Sequence, residues 1–243
     1  MVGIAVLIFF ALYRVKAGYG ILIDKKWGVT LPNRWAWMIM EAPVVIAMFW
    51  FWAGSPRQWD LVPFIFFVLF QTHYLQRSFI FPWCIRGKSR MPISIVLMGI
   101  VFNLANAFIQ GQWIFYLAPE HMYNELWLTN PRFLIGTLLF ITGMVINIHS
   151  DGVIRKLRED GNTKHYLPEK GLFKYVTSAN YFGEIIEWLG FAVLTWSLSG
   201  FVFFIWTFAN LVPRAHAIYD KYREDFSEEM ARSTKKRVFP FIY

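Results

Sequence analysis

The chain has one cysteine, Cys84, in 243 residues, so it can form no internal disulfide. A thiolate zinc site lacks its ligands for the same reason. Charge is scarce: Asp, Glu, Lys and Arg make up 16%, against roughly a quarter in a soluble domain. No Gly-x-Gly-x-x-Gly follows a strand-like run and no P-loop occurs; Gly171 is the sole glycine of Lys170-Gly171-Leu172-Phe173-Lys174-Tyr175. A nucleotide would therefore have to bind between helices. The Gly-x-Ser-x-Gly elbow of serine hydrolases is absent. Met1 to Tyr13 lacks a basic leader and a small-residue cleavage pattern, so it reads as a retained helix rather than a signal peptide. No stretch has linker composition, and residues 1–243 are expected to form one domain.

What is present is apolar: 56% of the residues are hydrophobic and 20% aromatic, including 25 Phe and 12 Trp. A soluble core of this size cannot hide that much surface, but a bilayer removes the need. The expected class is an all-α membrane protein with about seven spans, at residues 2–13, 35–53, 61–81, 92–118, 133–150, 176–197 and 199–213. The first and last are short for a hydrocarbon layer of about 30 Å. The break between the last two rests on Ser197-Leu198-Ser199-Gly200.

Charge sorting supports the odd count. Of the 24 Lys and Arg, 22 fall in four segments: Arg14 to Arg34 (including Lys25), Arg77 to Arg90, Arg155 to Lys174, and Arg214 to Arg237. Seven spans place all four on one side, which the positive-inside rule makes cytoplasmic; the N-terminus is then outside and the C-terminus inside. The net charge of +8 is thereby attributed to membrane topology and anionic headgroups, and nucleic acid is not expected as a partner. The membrane is the bacterial inner membrane, or the endoplasmic reticulum in a eukaryote.

Ionisable groups inside such spans cost roughly 2.5–3.5 kcal/mol each and call for a reason. Glu41 lies in Trp35-Ala36-Trp37-Met38-Ile39-Met40-Glu41-Ala42-Pro43, and Pro43 opens the helix beside it. Burial there favours the neutral acid, which can donate a hydrogen bond to an oxygen. His73 and Arg77 share a helical face, with Tyr74 beside them as either an interfacial anchor or a proton donor. Asn147 and Asp151 are spaced i, i+4, with Arg155 and Arg158 continuing the strip. Asn180, Glu184 and Glu187 open the next span. An Arg-rich cavity on the basic side suits a phosphate-bearing cofactor, since guanidinium grips phosphate oxygens bidentately. His149 near carboxylates imitates a metal site, but the Glu-x-x-His pairs of di-metal bundles are missing and no metal is expected.

The runs Gly143-Met144-Val145-Ile146-Asn147-Ile148-His149-Ser150-Asp151, Gly171 to Val176, Ser178 to Trp188 and Phe239-Pro240-Phe241-Ile242-Tyr243 resemble the steroid 5α-reductase family. Gly18-Tyr19-Gly20, Glu41-Ala42-Pro43, His73-Tyr74 with Arg77, and Gln110-Gly111 are similar to it as well. The resemblance implies a seven-helix enzyme that uses NADPH to reduce the double bond of a Δ4-3-oxosteroid. It assigns Glu41 and Tyr74 to the steroid 3-keto oxygen. It assigns Arg86, Lys88, Asn147, Asp151, Arg158, His165, Asn180, Glu184, Arg214 and Tyr222 to the cofactor, and Trp37, Phe102 and Tyr181 to the steroid pocket. Met40, Ile85, Lys88, His165-Tyr166 and Ile218 depart from the family pattern, which bears on cofactor affinity and substrate range. The alternatives are a reductase of an enoyl-CoA or polyprenol-type lipid and a membrane methyltransferase of the isoprenylcysteine type. A transporter is disfavoured because no inverted repeat is visible. No protein partner is implied.

Overall fold

A computed structural model describes residues 1–158 and 164–243, and for Lys25 the backbone alone, so the side-chain charge assigned above to Lys25 lies outside the described residues. The helices are α1 Val2–Arg14, α2 Asn33–Ala53, α3 Leu61–Leu75, α4 Phe81–Cys84, α5 Ile93–Gln112, α6 Pro131–Lys156, α7 Ala179–Thr195, α8 Leu198–Asp225 and α9 Ser227–Ala231. A π-helical turn, Gln76–Ile80, joins α3 to α4, and another, Trp113–Leu117, extends α5. A helical stretch falls in each of the seven expected apolar segments, although in 176–197 it runs only from Ala179 to Thr195. Four, at Asn33–Ala53, Ile93–Leu117, Pro131–Lys156 and Leu198–Asp225, are long and apolar enough to cross a membrane.

Large apolar side chains line the outside: Trp50 is 78% exposed, Leu7 71% and Val101 69%. Surface of this kind is met by lipid rather than water. The chain is a helical membrane protein. Its interior is aromatic, with Phe66, Phe70, Phe140, Trp188, Phe191 and Phe203 in one cluster. Trp188 lies edge-on to Phe203 at 4.4 Å and to Phe70 at 5.9 Å, a favoured ring geometry.

The all-α expectation needs one addition. Strand β1, Thr30–Pro32, pairs antiparallel with β2, Arg90–Pro92, placing Leu31 opposite Met91. Arg90 locks the pair by donating to the Thr30 hydroxyl at 2.8 Å and the Thr30 carbonyl at 2.6 Å. Pro32 and Pro92 end the strands and stand at the N-caps of α2 and α5. Proline cannot extend a ladder but has a φ close to helical, so the clip launches both helices side by side.

Two boundaries differ from the sequence reading. The chain breaks at Trp196-Ser197, where Trp196 adopts a left-handed φ of 46°, so only the first residue of Ser197-Leu198-Ser199-Gly200 lies in the break. Ser197 caps α8 instead, its hydroxyl accepting from the Gly200 amide at 3.0 Å. The last span is also far from short: α8 has 28 residues and runs through Pro213 to Asp225. Hydropathy stops where the helix meets charged side chains, whereas its backbone hydrogen bonding does not.

Helices α6 and α7 form the most extensive pair. Their glycines explain why: a Cβ on Gly143 would stand 2.2 Å from the Glu187 amide nitrogen, and one on Gly183 would stand 2.5 Å from that of Asn147. Small residues let backbones touch where lipid supplies no hydrophobic drive.

Candidate active site

The close α6–α7 contact sets the first half of the site. Asn147 donates to the Asn180 carbonyl at 3.0 Å and to Glu184 Oε2 at 3.4 Å. Asn180 donates to Asp151 Oδ1 at 3.2 Å. From the π-helical turn after α3, buried Arg77 donates to Asp151 Oδ2 at 2.9 Å and stacks over Trp37 at 4.8 Å and Phe81 at 4.2 Å. The strip predicted at Asn147, Asp151, Asn180 and Glu184 is thus one connected network, and Trp37 forms part of its wall.

The second half lies across α2, α3 and α5. Glu41 and Tyr74 are both buried, at 9% and 3% exposure. Asn103 donates to Glu41 Oε2 at 3.1 Å and to the Met40 carbonyl at 3.0 Å, supporting α2 just before Pro43. That helix passes through Pro43 without breaking. Asn106, one turn further along α5, donates to the Tyr74 hydroxyl oxygen at 3.0 Å. Gln110, a further turn on, donates to Asn106 Oδ1 at 3.3 Å and to the Ser199 carbonyl at 2.9 Å. Tyr74 and Glu41 lie within electrostatic reach of each other and of Glu184.

His73 lies edge-on to the Tyr74 ring at 5.0 Å and meets Glu187 of α7 at 2.7 Å, with the Glu187 side chain fully buried. Sequence reasoning named His73, Arg77 and Glu187 but gave them no role. It missed Asn103 and Asn106 altogether. The signal was available: Asn103, Asn106 and Gln110 recur at i, i+3, i+7 in an otherwise apolar run, which puts them on one helical face.

The remaining expected cofactor residues lie toward the basic end. Arg158 reaches His165 Nδ1 at 2.6 Å, and exposed Arg86 donates to the Arg158 carbonyl at 3.3 Å. Burial and the neighbouring Arg158 guanidinium hold the His165 imidazole below its ordinary pKa. Tyr222 is buried within electrostatic reach of Arg158 and Tyr181. Lys88 is exposed and makes no hydrogen bond or ion pair among the described residues.

Arg214, expected among the cofactor residues, is already engaged by the protein. It donates to the Tyr181 hydroxyl at 2.7 Å, the Ala17 carbonyl at 3.1 Å and the Tyr19 carbonyl at 3.0 Å, and lies over the Tyr19 ring at 3.5 Å. It ties the segment after α1 to α7 and α8, leaving one hydrogen on each terminal nitrogen. Phe102 stacks on Phe203 at 5.8 Å and packs against Trp206 at 5.2 Å, an aromatic wall between α5 and α8.

Residues 89–243 match the sequence profile of the 3-oxo-5-alpha-steroid 4-dehydrogenases. The chain is 36% identical to 3-oxo-5-alpha-steroid 4-dehydrogenase 1 of Bos taurus, across 98% of this chain and 93% of that protein. It is 35% identical to steroid 5-alpha-reductase DET2 of Gossypium hirsutum, across 99% and 93%. With the human 3-oxo-5-alpha-steroid 4-dehydrogenase 1 it shares 39% over 88% of its length and 81% of the relative's. The chain belongs to the 3-oxo-5-alpha-steroid 4-dehydrogenase family. It is therefore an enzyme, an oxidoreductase, and the rival methyltransferase reading falls away. The profile begins at residue 89, so α2 and α3 with Glu41 and Tyr74 lie outside it; they lie within the near full-length matches.

Proposed function

We propose that this family member reduces the C4–C5 double bond of Δ4-3-oxosteroids, with NADPH as the reductant. The observation that carries the reading is the pairing of two buried acids, Glu41 and Tyr74, each receiving an amide N–H from adjacent turns of α5. The Tyr74 oxygen already accepts from Asn106, so its hydrogen is free to donate elsewhere. Neutral Glu41 accepts from Asn103 at Oε2 and can donate as an acid. Two donors converging on one carbonyl oxygen are what an enone needs when negative charge builds there during reduction at the β-carbon. Burial among aromatic rings removes competing water and strengthens both bonds.

The residues at the basic end fit a phosphate-bearing dinucleotide in chemistry. Arg158 and Arg86 supply guanidinium groups, and the buried Ser178 hydroxyl at the N-terminus of α7 has no hydrogen-bond partner among the described residues, a donor available to an anion at a helix start. Bound there, NADPH supplies the hydride for C5. Asn147, Asp151, Asn180 and Glu184 would hold the cofactor on the α6–α7 side, with Arg214, Tyr222, His165 and Lys88 around the cytoplasmic mouth. Trp37, Phe102 and Tyr181 would line the steroid's path from the lipid. The reading takes residues 1–243 as one functional unit crossing the membrane seven times, N-terminus outside and C-terminus cytoplasmic. The charged cofactor then enters from the side that carries the basic segments.

The test is product analysis by the purified protein with NADPH and progesterone, beside an enoyl thioester as the alternative substrate. A 5α-reduced steroid is expected. Glu41→Gln and Tyr74→Phe should fold normally and lose on the order of 100- to 1000-fold in rate. Near-normal rates in both variants, or turnover of the thioester alone, would overturn the assignment.

A further inference from the structure

We propose that the amide stripe of α5, Asn103 and Asn106 backed by Gln110, sets the hydrogen-bond polarity of the two acids. These are positioning residues that make Glu41 and Tyr74 donate toward substrate. The inference rests on the reading of those two groups as carbonyl donors and extends it.

Direction is the central point. A phenol or a neutral carboxyl can donate its hydrogen to whichever acceptor is near. Were an acceptor packed against Tyr74, the hydroxyl would turn to the protein and be lost to substrate. Asn106 prevents this because its Nδ2 faces the hydroxyl oxygen at 3.0 Å. The orientation of Asn106 is not left to chance. Its Oδ1 accepts from Gln110 Nε2, and the other Gln110 N–H goes to the Ser199 carbonyl at 2.9 Å. Ser199 is in the first turn of α8, directly after the left-handed Trp196. A backbone carbonyl is a pure acceptor, so it orients Gln110, which orients Asn106, which orients Tyr74. Asn103 acts alike on Glu41: a carbonyl acceptor, that of Met40, takes the same Nδ2 that donates to Oε2.

All three amides are shielded from water, with Asn103 at 5%, Asn106 at 1% and Gln110 at 0% exposure. Solvent cannot reset the chain of bonds. Polar residues in a spanning helix commonly serve as glue between helices. Here they end on the acids themselves, and each step runs donor to acceptor in one sense.

The experiment compares progesterone reduction by purified protein carrying Asn106→Leu and Asn106→Asp, each alone, and Asn106→Leu also combined with Tyr74→Phe. Leucine removes the donor at similar size; kcat should fall about 10-fold with KM within about twofold. Aspartate replaces the donor with an acceptor of the same shape, captures the Tyr74 hydrogen, and should cost about 100-fold. In the Tyr74→Phe background Asn106→Leu should have no further effect, because the group it orients is gone. An equal 10-fold loss in that background, with Tyr74→Phe itself slow, overturns the stripe's role and leaves the donor assignment standing. A Tyr74→Phe enzyme of normal rate overturns both. Thermal unfolding checks that each variant folds; if the leucine variant does not, the near-isosteric aspartate carries the test, and a normal rate there refutes the proposal.

Discussion

Gly143→Ala perturbs the α6–α7 contact directly. The added methyl would stand 2.2 Å from the Glu187 amide nitrogen and 2.5 Å from the Gly183 carbonyl oxygen. Carbon contacts need roughly 3.5 Å. Every clashing atom is backbone, so no rotamer can move aside and α6 and α7 must separate by about 1 Å. Overpacking of this kind costs about 1–3 kcal/mol. The separation also stretches the Asn147 bond to the Asn180 carbonyl, now 3.0 Å, beyond useful length. A buried hydrogen bond adds about 1 kcal/mol, for a total of about 3 kcal/mol. Thermal unfolding in detergent should show a lower midpoint, and the rate with NADPH and a steroid enone should drop with it. Gly3→Ala is the control, since a Cβ there meets nothing within 4 Å. A Gly143→Ala protein with the control's midpoint and rate would show that the α6–α7 contact is neither tight nor needed.

Glu187→Leu should destabilise by about 3–5 kcal/mol, because it strips a buried His73 of its partner; adding His73→Phe should restore much of the loss in the same unfolding assay. Arg214→Lys keeps the charge but cannot reproduce three bonds in a planar fork. Limited proteolysis should then cut the segment between α1 and α2 faster, and an unchanged cleavage rate would argue against the tether. His165 binds a proton more weakly folded than unfolded, where its ordinary value is near 6.5. The unfolded chain therefore protonates first, and stability should fall as pH drops through about 6.5. Protonation at Nδ1 would also remove the lone pair facing Arg158. His165→Gln should flatten that acid limb of the unfolding midpoint, and an identical limb in both proteins would exclude this histidine as its source.

Much of the fold was legible because hydropathy reports what a bilayer demands. Helices α1, α2 and α5 begin within two residues of the apolar stretches that announced them. The misjudged boundaries share a cause. Trp196 stops α7 in a backbone conformation that a tryptophan gives no hint of, stabilised where Arg132 stacks on its ring at 4.2 Å. The extension of α8 past Pro213 follows hydrogen bonding rather than hydropathy. At the site, Glu41, Tyr74, Asn147, Asp151, Asn180 and Glu184 were readable as polar groups in apolar runs and as family positions. The amides of α5 were visible only as a period, since a stripe does not say what it faces.

The sequence alone therefore determined the class of the protein: apolar runs of spanning length, basic residues sorted between them, and costly ionisable groups that only a function would retain. Tertiary structure decided how those groups are used. The α6–α7 glycines bring Asn147 and Asp151 onto Asn180 and Glu184 because only bare backbones approach so closely. The strand clip sets α2 beside α5, so that Asn103 meets Glu41 and Asn106 meets Tyr74. Hydrogen-bond direction is a property of pairs of atoms in space, and residues 32 positions apart in the chain carry no mark of it.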